Sequence, residues 1–220
     1  MKITTHQFIR GLIYLSGIIT TGLGVNILLR SALGAGAWDT VLYNMRAFLE
    51  VRLNVFVTLG TISFVIYGIV LASVMFYHKK LKFLIVLIPI FGIALAIDFW
   101  DIIVFGDYYP SLLWIKIIFF LLGIFTLTLG LSLIIVTKYP AMVFDELTLI
   151  INKVLRLNSF FKARILVELF AIILATILGF LSYIGFGSVN IGSLLLAFLI
   201  GPMIELHLKY LDKLVKPLMK

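Results

Sequence analysis

The chain has 220 residues, 63% of them hydrophobic and only 13% charged, with a mean hydropathy of +1.20. Ordinary soluble domains carry about a quarter charged residues, so these values exclude a soluble globular domain and leave no room for a sizeable one beside the membrane part. Cysteine is absent, which removes disulfides, thiolate chemistry and Cys-based metal sites. The net charge of +8 fits basic loops facing an anionic membrane surface better than it fits nucleic acid.

A spanning helix takes about 20 mostly apolar residues. Six stretches meet or approach that: 11–29, 53–77, 83–105, 116–137, 165–186 and 189–208. The first, behind Lys2 and Arg10, has the outline of a signal peptide, with Ala32-Leu33-Gly34 as a weak cleavage site. Its length exceeds the apolar core of about 7–15 residues in a cleaved leader, and a matching helix recurs later. It is therefore read as a retained span.

Two short segments interrupt the series. Residues 34–50, GAGAWDTVLYNMRAFLE, follow the first span, and residues 140–156, PAMVFDELTLIINKVLR, follow the fourth. Each opens on small or helix-breaking residues (Gly34 and Gly36; Pro140), sets an aromatic–Asp pair (Trp38–Asp39; Phe144–Asp145), and continues as a short helix too polar to span. Dipping into the bilayer needs cover from protein or a water-filled cavity. Arg46, Lys153 and Arg156 instead suit helix ends at the interface, so both placements stay open.

Shifting the sequence by 106 positions aligns Gly17 with Gly123, Thr20 with Thr126, Gly24 with Gly130 and Asp39 with Asp145, giving 8 identities across residues 15–39. Such spacing is the mark of a tandem repeat. Three spans per half is an odd number, so the second half enters the membrane inverted. The predicted fold is an all-α membrane protein: six transmembrane helices as two inverted three-helix repeats, each with a short extra half-helix after its first span. It forms one membrane domain, with repeats at 8–107 and 112–220. The Thr20–Gly24 and Thr126–Gly130 faces are expected to bring the first and fourth spans together.

Basic residues set the orientation. Lys2, Arg10, Lys79, Lys80, Lys82, Lys138, Lys153, Arg156, Lys162, Arg164, Lys209, Lys213, Lys216 and Lys220 fall on one side, against Arg30, Arg46, Arg52 and Lys116 on the other. The richer side, with both termini, is expected to be cytoplasmic. Trp100, Tyr108, Tyr109 and Trp114 fit an outer aromatic belt.

Ionisable residues within membrane segments are costly and mark candidate sites. Asp39 and Asp145, with Trp38 and Phe144 before them, are candidates for a solute site; as Asp residues near helix starts they also suit capping. Asp98, Asp101, Glu168 and Glu205 form a weaker set for ion or proton coupling, with hydrated helix ends as the alternative. More acids than buried bases favours a cationic or proton-coupled solute. Gly192, Gly201 and Pro202 punctuate the last span as packing or hinge positions, and Pro202 is expected to kink it. Asn26 and Asn190 suit interhelical hydrogen bonds. No nucleotide loop, zinc helix or serine elbow is present, and His6, His78 and His207 have no metal-like spacing, so neither metal, cofactor nor enzymatic activity is expected.

The stretches GAGAWDTVLY at 34–43 and NIGSLLLAFLIGPMIE at 190–205 resemble the YczE/YyaS/YitT family of bacterial integral membrane proteins, with Ala37 where the family motif has proline and Ser193 where it has threonine. The resemblance implies a bacterial plasma-membrane protein with a suspected transport role, and names no substrate. The function expected is a small-solute transporter or facilitator with its site between the repeats. The alternatives are a non-transporting scaffold or accessory factor that binds a partner through its basic loops and, with less support, the substrate-binding subunit of a vitamin importer; a homo-oligomer or a protein partner at the cytoplasmic face stays open.

Overall fold

The computed structural model describes residues 5–140 and 142–215. Lys2, Lys216 and Lys220 of the charge asymmetry, and Ala141 in the second short segment, lie outside them. Eight α-helices are described: α1 Thr5–Ser31, α2 Ala37–Leu53, α3 Leu59–His78, α4 Leu87–Asp98, α5 Leu113–Val136, α6 Phe144–Val154, α7 Phe160–Leu181 and α8 Ile191–Val215. A 3₁₀ turn, Leu81–Val86, leads into α4, and a π-helical stretch, Phe99–Phe105, continues it. Among the described residues, six helical segments are long and apolar enough to cross a membrane: α1, α3, Leu81–Phe105, α5, α7 and α8.

The distribution of side chains is that of a membrane protein. Large apolar residues such as Phe76, Ile69, Phe170 and Ile173 lie on the outside, while Thr21, Asn26, Arg30, Asp39, Asn44, Thr128, Ser132 and Glu168 are buried. In water such an exterior would aggregate; against lipid it costs nothing, and polar groups turn inward to find partners. The chain is a multi-pass membrane protein.

α1 and α5 form the central pair and run antiparallel. A Cβ on Gly24 would strike the backbone of Leu127, one on Gly17 that of Ile134, one on Gly123 Leu28 and one on Gly130 Thr21. With no aqueous hydrophobic effect to drive association, close backbone approach of this kind is what supplies van der Waals attraction between spans. The α4 segment runs parallel to α1, tied by Asn26 Nδ2 donating to the Ile97 carbonyl at 3.0 Å. Likewise α8 runs beside α5, where Ser132 Oγ donates to the Ile204 carbonyl at 3.3 Å. Pro202 sits inside α8 without ending it.

The short helices differ from their sequence outlines. α2 starts at Ala37 and α6 only at Phe144: Gly34, with φ of +132°, is in a conformation no helix continues through, and Pro140 has no N–H to carry a helix from the residues before it. Gly34 has a second reason to be glycine: a Cβ there would strike Ser193 at the start of α8. Asn190 donates to the Ala32 carbonyl and Ala35 N–H to Ser193 Oγ, so the α1–α2 turn is stitched to α8. α2 is buried from Ala37 to Leu42. Asn44 then anchors it, donating to the Ala175 and Phe186 carbonyls and accepting from the Ser188 N–H. The start of α2 therefore lies inside the protein, whereas α6 buries only Phe144, Thr148 and Ile150.

Candidate functional site

The starts of α2 and α6 meet at the bundle centre. The Trp38 and Phe144 rings stack with centroids 4.6 Å apart, and Tyr67 of α3 packs edge-on to Phe144 at 5.0 Å. Below them lies a cavity of about 70 Å³, lined among others by Gly36, Trp38, Asp39, Tyr67, Phe144, Arg164 and Glu168.

Asp39 and Asp145 do not share an environment. Asp39 is 7% exposed, and the Tyr67 hydroxyl donates to its Oδ1 at 3.4 Å. It has no ion pair among the described residues. Asp145 has a side chain 56% exposed and pairs with Arg164 at 2.8 Å. Neither caps its helix: the residue before each first turn is Gly36 or Val143, with no side-chain capping bond.

Arg164 bridges the two regions. Its Nε lies 2.8 Å from Glu168, which is buried, while its NH1 holds Asp145. One guanidinium thus serves two carboxylates, while Asp39 lines the same cavity without pairing to it. Arg164 and Glu168 also line a separate recess of about 490 Å³ between α7 and α8, bounded among others by Phe160, Phe161, Gly201, Pro202 and Glu205.

At the other end of α1 a different cluster closes the structure. Arg30, 1% exposed, lies 2.8 Å from Asp101, and Arg46 reaches the second oxygen of Asp101 at 3.1 Å. Arg30 also donates to the Asn26 side chain and to the Asp101 and Gly106 carbonyls, under the rings of Phe105 and Tyr109. None of these residues lines the central cavity.

Of the weaker set, only Glu168 joins Asp39. Asp98 and Asp101, which the spacing places on one helical face, diverge because the helix widens to π geometry at Phe99. Asp98 turns to α3, accepting from Thr58 Oγ1 at 2.7 Å and the Gly60 N–H at 2.6 Å. Glu205 lines the recess instead. Tyr67 and Arg164 were not legible as site residues from sequence; the signal for Tyr67 was a hydroxyl-bearing ring in mid-span. Arg30, placed by sequence with the outer loop charges, is buried. Of the packing positions, Gly192 abuts Leu33 and Phe120, while a Cβ on Gly201 would meet nothing.

This architecture can be set against known proteins. A family model described as "Family of unknown function (DUF6198)" matches residues 8–209. The chain belongs to that family. This DUF6198 member is also similar to "Uncharacterized protein YyaS" of Bacillus subtilis (strain 168), 26% identical over 197 residues covering 90% of this chain and 91% of that one, in line with the YczE/YyaS/YitT resemblance. No solved structure matches.

Proposed function

We propose that this DUF6198 member is a small-solute transporter of the bacterial plasma membrane, built from two inverted repeats, with its solute site in the Asp39 cavity and its Arg164 end in the cytoplasm. The observation that carries the reading is the stacking of Trp38 on Phe144 over a cavity holding two buried carboxylates. Transporter sites of this plan lie where repeats meet, at the ends of broken helices.

The packing supports the inverted repeat. The same 106-position shift carries Gly17 beside Ile134 onto Gly123 beside Leu28. It also carries Asn26 onto Ser132, and both bond across to the partner helix, at Ile97 and Ile204 respectively. Thr58 and Ser159 cap α3 and α7 in the same way, each accepting the N–H three residues on.

These correspondences pair the α3–α4 seam with the α7–α8 seam, and the two seams differ. At Gly60 an added Cβ would strike the Ala94 carbonyl and the Asp98 carboxylate; this seam is shut, with Asp98 latched onto the start of α3. Gly201 and Glu205 hold the places of Ala94 and Asp98 on α8, but there the seam is open as the recess. We read this as one state of an alternating cycle. In the other, Glu205 latches onto the start of α7 at Ser159 and Phe161 while Asp98 releases α3.

A Phe161→Cys/Gly201→Cys pair, the counterpart of the Gly60–Ala94 approach, tests it in a chain that has no other cysteine. Cysteines bridge only with Cα atoms within about 7 Å. Oxidation in membranes should form the bridge, trapping the closed state. A pair that stays reduced under prolonged oxidation means a fixed seam, and the transporter reading fails in favour of a scaffold.

A further inference from the structure

Resting on that reading, we propose that the central cavity binds a small protonated amine carrying a hydrogen-bond acceptor, an amino alcohol of about the size of ethanolamine, with Asp39 as its counter-ion and the Trp38 indole as its donor. Three independent features define this ligand. The first is charge. Around the cavity one guanidinium, Arg164, is already shared between Glu168 and Asp145, and Asp39 has no cationic partner among the described residues. A buried carboxylate without a partner is expensive in a membrane protein, and an ammonium group entering beside it removes that cost.

The second feature is a missing acceptor. Trp38 is 9% exposed and lines the cavity, and its indole Nε1 is buried without a hydrogen-bond partner. Indole can only donate, so an ammonium cannot satisfy it; an oxygen on the same ligand can. An alkyl amine would leave this group orphaned, and buried orphaned donors are rare in native structures. The Tyr67 hydroxyl lines the same cavity and donates to Asp39 across a long 3.4 Å.

The third feature is size. The free space of about 70 Å³ admits about five water-sized spheres at ~15 Å³ each. That excludes nucleosides, sugars and lipids and leaves molecules of a few heavy atoms. The neighbouring recess, which shares Arg164 and Glu168 with the cavity, is flanked by Asp145, Glu205, Phe160 and Phe161, an acidic and aromatic mouth that favours cations over anions.

The test is ligand titration of the purified full chain in lipid nanodiscs, following Trp38 fluorescence with Trp100 and Trp114 replaced by Phe. Four probes separate the features: ethanolamine, ethylamine, ethylene glycol and acetate. Ethanolamine should give a saturable change, with ethylamine roughly ten-fold weaker for want of the indole bond. Glycol and acetate should give none. Asp39→Asn should abolish the ethanolamine response, while Asp212→Asn, far from the cavity on the last turns of α8, should keep it.

Equal responses to ethanolamine and ethylamine overturn the acceptor role of Trp38. Acetate or glycol acting through Asp39 overturns the cation class but leaves a solute site. No response to any probe from folded protein overturns the ligand assignment, and the cysteine bridge between α7 and α8 then decides the transporter reading separately.

Discussion

Removing the Asp101 carboxylate separates a buried ion pair from an ornamental one within a single cluster. Arg30 is 1% exposed and Asp101 side-chain oxygens are nearly as deep, whereas the Arg46 side chain is 42% exposed. Asp101→Ala leaves the Arg30 guanidinium buried beside only the Asn26 oxygen, two carbonyls and two aromatic rings. Taking one partner from a buried pair costs about 3–5 kcal/mol, and the surviving carbonyls place this case near the lower end, about 3 kcal/mol. Arg46→Ala removes the half-exposed arm alone, worth about 0–1 kcal/mol. Replacing both partners with apolar residues, Arg30→Met with Asp101→Leu, should recover at least half of the Asp101→Ala loss, because no charge is left stranded. Thermal unfolding in one detergent, followed by circular dichroism, should rank Arg46→Ala beside the wild type, the double variant lower, and Asp101→Ala lowest. Asp101→Ala as mild as Arg46→Ala would refute the view that this cluster holds α1 to the π-helical stretch through a desolvated charge pair.

The α1–α5 crossing makes a second contrast: Gly24→Leu should abolish stable folding in detergent, because Leu127 backbone blocks the new side chain, while Gly201→Leu, facing open space, should leave the melting midpoint within a few degrees. Asp39→Asn should raise the melting midpoint at pH 8 while removing solute response, since it deletes an unpaired buried charge; a lowered midpoint would mean that Asp39 has a structural partner. Asp98→Ala should speed formation of the Phe161–Gly201 cysteine bridge by loosening the opposing α3–α4 latch; an unchanged rate would show the two seams to be uncoupled.

Much of this protein was written in local chemistry. Long apolar runs sufficed to place all six spans, because a membrane helix must satisfy its own backbone and cover it with apolar side chains. The break at Gly34-Ala35-Gly36, the aromatic–Asp pairs and the recurring glycines were also visible, since each constrains the residue at its own position. Gly17, Gly24, Gly123 and Gly130 did prove to be the points where α1 and α5 touch.

What a single chain of letters did not contain was the difference between like residues. Asp39 and Asp145 occupy the same place in the motif, yet one is sealed in and the other pairs with Arg164 at the rim. Asp98 and Asp101 are three residues apart, yet a π-helical turn sends them to α3 and α1. Composition and periodicity determined that the chain lives in a membrane as a set of spans, because they report the solvent each residue requires. Only the tertiary structure decided which acids are partnered, which seam is open and where Trp38 stands without an acceptor, because those depend on neighbours far away in sequence.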